Sequence, residues 1–187
     1  MRIKSILATL VVAVSMVGLS ACSDDSSSKA FNDADVSFAQ GMIPHHRQAT
    51  EMAALASDRS TDPAVLDLAS KIIAAQQPEI DEMSGWLKSW DKNVPSDSGE
   101  MDGMDHGSSS DMPGMMSSED MASLEAATGP AFDKAFLTMM IEHHEGAIEM
   151  AKTEESDGKY SQAVKLAKKI QTDQASEIVT MESLLQS

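Results

Sequence analysis

Two short stretches of the chain carry residue types that do chemistry. Met42-Ile43-Pro44-His45-His46 and Met140-Ile141-Glu142-His143-His144 both read Met-x-x-His-His. Steps of three and four on a helix put the thioether and both imidazoles on one face. Imidazole nitrogen and thioether sulfur are metal ligands, and the thioether turns preference from hard cations such as iron or manganese toward copper. Cu(I) is favoured by this donor set. Imidazole serves Cu(II) as well, so either oxidation state fits. Adjacent histidines spread over about 100° of helix surface, so one of each pair could simply face solvent.

The second stretch is a copy of the first, displaced by 98 positions. The same offset pairs Phe38 with Phe136, Ala49 with Ala147 and Met52-Ala53 with Met150-Ala151. It continues through Leu68 and Leu166, Ile72 and Ile170, Gln76 and Gln174, Glu79-Ile80 and Glu177-Ile178, to Leu87 and Leu185. This is an internal duplication. Four of the five histidines lie in the repeated pairs.

The elements that must position these residues are helices. Apolar residues recur at three- and four-residue spacing from about 32 to 56, 63 to 90, 130 to 155 and 160 to 185, with a short helix at 118–127 capped by Ser118. Asp62-Pro63 supplies an N-cap followed by proline at the first helical position. Pro44 and Pro78 interrupt the first two helices and should kink them. Each repeat (31–90 and 129–187) is therefore a helical hairpin. Two hairpins make an all-α, four-helix ferritin-like bundle with one long connection, residues 91–128.

Folding each hairpin about its turn brings Gln76 and Glu79 level with His45 and His46, and Gln174 and Glu177 level with His143 and His144. Glu79 and Glu177 can either ligate the metal or hydrogen-bond an imidazole. Each hairpin then has ligands for a metal of its own, the alternative being one central site shared by all four histidines. Pro44 and Pro78 should leave the first site the looser of the two. Because an unperturbed histidine titrates near pH ~6.5, binding should weaken as pH falls below that value. Glu51 and Glu149 fall off the ligand face and read as solvated.

The connection carries a further set of soft donors. Met101, Met104 and His106 precede Met112, Met115 and Met116, all among Asp, Gly and Ser. Methionines in a polar segment of this kind have no evident packing role, and transient copper capture accounts for them.

Residues 1–21 read as a lipoprotein signal peptide: Arg2 and Lys4, an apolar stretch too short to span, then Leu19-Ser20-Ala21-Cys22. Cys22 would be the lipidated first residue, anchoring the protein to a bacterial membrane outside the cytoplasm. Residues 22–30 form a polar tether. Cys22 is the only cysteine, so no thiolate remains for a metal. With 4% aromatic residues and 15 methionines, the core must be Ala, Leu, Ile and Met, which suits helices. A formal net charge of −16 leaves no basic surface for phosphates and argues against nucleic acid as a partner.

The pattern Phe-Leu-x-x-Met-Ile-x-His-His-x-Gly-Ala-x-x-Met-Ala, running from Phe136 to Ala151, resembles domain-of-unknown-function family 305, a ferritin-like group that includes copper-binding members. The first copy departs from it with Gln40-Gly41 in place of Thr138-Met139, Pro44 for Glu142 and Gln48 for Gly146. The resemblance spans about residues 31–187. It implies copper binding through Met42, His45, His46, Met140, His143 and His144. Tolerance or delivery of copper is the expected role. A metal-dependent oxidase with Glu79 and Glu177 as ligands, or a structural lipoprotein, are the rival readings.

Overall fold

The computed structural model describes residues 30–96 and 112–187, and these form five helices and no strand. Helix α1 runs Asp33–Arg59, α2 Pro63–Ser89, α3 Ser118–Ala126, α4 Pro130–Asp157 and α5 Ser161–Leu185. The four long helices form the bundle.

Local signals fix most of the ends. Asn32 and Asp35 close a capping box at the start of α1, each side chain accepting from the other's backbone amide. Asp62 accepts from the amides of Ala64 and Val65 at the start of α2. Helix α3 begins at Ser118 as expected, but with a different cap. Its N-cap is Ser117, which exchanges bonds with Asp120 three residues on, whereas Ser118 has Met121 at that place. Both α1 and α2 continue through Pro44 and Pro78.

Helix α1 packs against α2 and α4, and α4 against α5, while α2 and α5 meet sparsely. One apolar cluster joins the start of α1 (Phe38, Met42, Ile43) to the end of α2 (Met83, Trp86, Leu87), the second half of α4 and the first half of α5. The other joins the end of α1 (Met52, Ala56) to the start of α2 (Val65, Leu68), the first half of α4 (Phe132, Phe136, Met140) and Met181. All neighbouring helices are thus antiparallel, in an up-down-down-up order. That order ends α2 and begins α4 at opposite ends of a bundle about 40 Å long, so the connection must travel its length.

The path is visible at both ends. Gln40 donates to the Asn93 carbonyl (2.8 Å) and Arg47 to that of Pro95 (2.8 Å), so the connection leaves along α1. The Gly129 amide donates to the Arg59 carbonyl at 2.7 Å where it arrives. Cys22, Met101, Met104 and His106 lie outside the described residues.

Candidate metal centre

Between the two apolar clusters lies a polar layer. His45 and His46 on α1, Gln76 and Glu79 on α2, His143 and His144 on α4 and Gln174 on α5 are all buried, the four histidines completely; Glu177 on α5 is partly exposed. The two histidine pairs, one per hairpin, do not stand apart. His45 and His143 stack across the α1–α4 contact with ring centroids 3.8 Å apart. Neither histidine pair is more open than the other, because all four rings are at 0% exposure.

The hairpin register expected for the acidic residues holds. The His46 Nε2–H donates to Glu79 Oε2 at 2.8 Å and the His144 Nε2–H to Glu177 Oε2 at 2.7 Å. Glu79 and Glu177 therefore engage imidazoles, the second of the two roles open to them. Lys169 of α5 also donates to Glu79, at 2.8 Å. The His45 Nε2–H donates to the carbonyl of Pro113 at 3.0 Å. Carboxylates and carbonyls only accept, so these partners fix all three rings as Nε2–H tautomers with a bare lone pair on Nδ1. Those three Nδ1 atoms have no partner among the described residues, and neither does either nitrogen of His143. The His45 backbone lies close to the His143 ring without hydrogen-bond geometry. Each unpartnered buried polar atom costs about 1–3 kcal/mol.

Burial keeps the rings of His45, His46 and His143 neutral. It lowers His45 to about 3, helped by the neighbouring His46 and opposed by the Pro113 carbonyl. His46 is lowered chiefly by burial, against the pull of Glu79, and His143 is lowered well below 6.5 by burial and then by His45, His144 and His46. Burial pushes the Glu79 carboxyl up, but bonds from His46 and Lys169 outweigh it and hold the group below its ordinary range. For His45, His46 and His143, competition by protons just below pH 6.5, expected from the sequence, is therefore displaced to more acid conditions.

A segment of the connection lies over this layer like a strap. Pro113 sits on His45. Gly114, at φ +74°, packs so closely on α4 that a Cβ there would stand 3.1 Å from His143 Cα and 2.5 Å from the Glu142 carbonyl oxygen. The Gln48 side chain clamps Met116, accepting from its amide (2.7 Å) and donating to its carbonyl (2.9 Å). Met116 is buried in the second apolar cluster, with Met112 and Met115 half-buried. The expectation that these methionines have no packing role is corrected for Met116. Met42 and Met140 are fully buried and flank the histidine layer from opposite clusters, one turn from His45 and His143.

No three His, Cys, Asp or Glu side chains among the described residues converge on a point where they could share an ion. The donors at this level are unpartnered imidazole nitrogens, with the thioethers of Met42 and Met140 one helical turn away along the chain. They fit a soft ion content with few ligands.

The family model described as "Domain of unknown function (DUF305)" matches residues 35–185. The chain belongs to the DUF305 family. A DUF305 protein from Streptomyces coelicolor has a solved structure 35% identical, with a TM-score of 0.72 over 81% of this chain and 91% of that one. CopM in its Cu(II)-bound form is 33% identical with a TM-score of 0.68 over 81% of this chain and 95% of that one. CopM structures also exist in Cu(I)- and silver-bound forms. Uncharacterized protein L153 of Acanthamoeba polyphaga mimivirus is 44% identical over 59 residues, 32% of this chain and 38% of that protein's length.

The strap explains why the two copies of this DUF305 chain diverge at Gln40, Gly41 and Gln48. Gln40 and Gln48 hold the connection, Gly146 lies under Pro113 and Gly114, and the would-be Cβ of Gly41 is within 4 Å of Met112. A symmetric pair of hairpins has two equivalent grooves' worth of surface but one connection to cover it, so residues under that connection must differ. Those departures were legible; the reason for them required the topology.

Proposed function

We propose that this chain is a copper-binding protein that holds Cu(I), and secondarily Cu(II), in the histidine layer between its two hairpins, for copper tolerance or delivery. One observation carries the reading: four fully buried imidazoles present nitrogens with no partner among the described residues, one helical turn from Met42 and Met140. Copper supplies a Lewis-acid centre that satisfies those lone pairs. His45, His46, His143 and His144 are its nitrogen donors, with Met42 and Met140 as candidate sulfur donors. Glu79 and Glu177 orient imidazoles and strengthen them as donors. We read the protein as a carrier rather than an enzyme, because both carboxylates that an oxidase would need as ligands are spent on histidine. The binding of Cu(I) and Cu(II) by CopM supports the choice of metal.

Localisation belongs to the same proposal. The leader and Leu19-Ser20-Ala21-Cys22 support a protein lipidated on Cys22 and held outside the cytoplasm, where thioethers keep ligating and thiols oxidise. Metal analysis of protein purified without a histidine tag tests the function. Copper at about one equivalent, lost on replacing His45 and His143 together, is the expected result. Iron, or no metal after anaerobic incubation with Cu(I), contradicts it.

A further inference from the structure

We propose that Met112 of the strap and Met150 of α4 form a second copper site, made of thioethers alone, over Gly41 of α1. It rests on the copper reading above and adds a place where the ion is held outside the histidine layer.

Gly41 is the position at which the first copy lacks the side chain of Met139. The missing side chain leaves a niche on α1. Two methionines from different elements reach it: a Cβ built on Gly41 would stand 3.0 Å from Met150 Cε and 3.8 Å from Met112 Sδ. Both side chains are half-buried, whereas Met52, which corresponds to Met150 in the first copy, is completely buried. The thioether pair is therefore peculiar to this end of the bundle, and solvent reaches it.

Sulfur is the donor that distinguishes this place from the layer beneath. Thioethers bind hard divalent cations poorly and bind soft monovalent copper and silver well. The niche is also next to the layer, since Met112 precedes Pro113, whose carbonyl accepts from His45. An ion on Met112 and Met150 is one residue of strap away from the histidines. Long unbranched methionine side chains can follow it with little cost in packing.

Methyl NMR on the full-length protein labelled at the methionine ε-carbons tests this, with Ag(I) as a diamagnetic probe. The ε-methyl signals of Met112 and Met150 should shift together along the titration. Met112→Leu should abolish the shift at Met150, Met150→Leu the shift at Met112, and Gly41→Met, which fills the niche, should abolish both. All three variants should keep the silver response of the histidine ring signals. Histidine rings that respond while Met150 stays unmoved would overturn the thioether site and leave the copper reading standing. Rings and methyls that are both silent would overturn the two together.

Discussion

His45 of α1 and His143 of α4, equivalent residues of the two repeats, meet ring to ring with centroids 3.8 Å apart and planes inclined at 42°. Residues near a twofold axis meet their own counterparts, as in an isologous dimer. The duplication therefore built one central histidine layer out of two equivalent halves.

The two kinds of histidine in that layer should respond oppositely to an apolar replacement. His143→Leu removes two unpartnered buried nitrogens and should leave the metal-free protein as stable as before, or more so. His46→Leu takes a donor from a buried carboxylate and should cost about 1–3 kcal/mol even with Lys169 still in place. Urea unfolding of the two variants checks the difference in sign.

Gly146→Ala should push the strap off the bundle, because the new Cβ would overlap the Pro113 carbonyl and lie 2.7 Å from the Gly114 nitrogen. Gly85→Ala meets nothing within 4 Å in the interior of α2 and should stabilise by about 0.5–1 kcal/mol. Thermal melts of the pair should move apart, with the first falling and the second rising.

Gln48→Ala removes both bonds that clamp Met116 and should loosen the strap by about 1–3 kcal/mol without unfolding the four long helices. Hydrogen exchange at residues 112–117 should accelerate while the protection of α1 and α4 is retained. Equal acceleration throughout the bundle would show that the strap is part of the global fold.

At the far end of the molecule, Glu154 is buried against Asp35, which also accepts from the amides of Lys159 and Tyr160. Burial, with the nearby carboxylates of Asp35 and Asp157, raises Glu154 to about 8 from an ordinary 4.5. The folded state thus holds this proton more tightly than the unfolded chain. Its contribution to stability is present below pH 4.5, falls as pH rises from 4.5 to 8, and is gone above. Denaturation midpoints between pH 5 and 9 should decline for the natural protein, and Glu154→Gln should flatten that decline.

Much of this was legible in the residues. Helical periodicity located all four long helices, and the offset of 98 located both histidine pairs and their acidic partners, because hairpin register depends only on turn position. Ser117 was missed in favour of Ser118, although the acidic residue three places on distinguishes them. The meeting of His45 with His143 was not legible, since it depends on how two hairpins pack and not on either alone. Nor was the role of Gly41, Gln48 and Gly146: a glycine under a strap reads in sequence as a weak helix position. Asp35 and Glu154, 119 positions apart, carry no local signal of their pairing.

The shared layer is tested most directly by an anaerobic Cu(I) titration of the tag-free protein beside its His45→Ala and His143→Ala variants, read by competition with a chromophoric chelator and by X-ray absorption. The account predicts one tight ion bound by nitrogen and sulfur, weakened roughly tenfold or more by either single substitution. Two ions of similar affinity, with each substitution removing one and leaving the other at its natural strength, would contradict it.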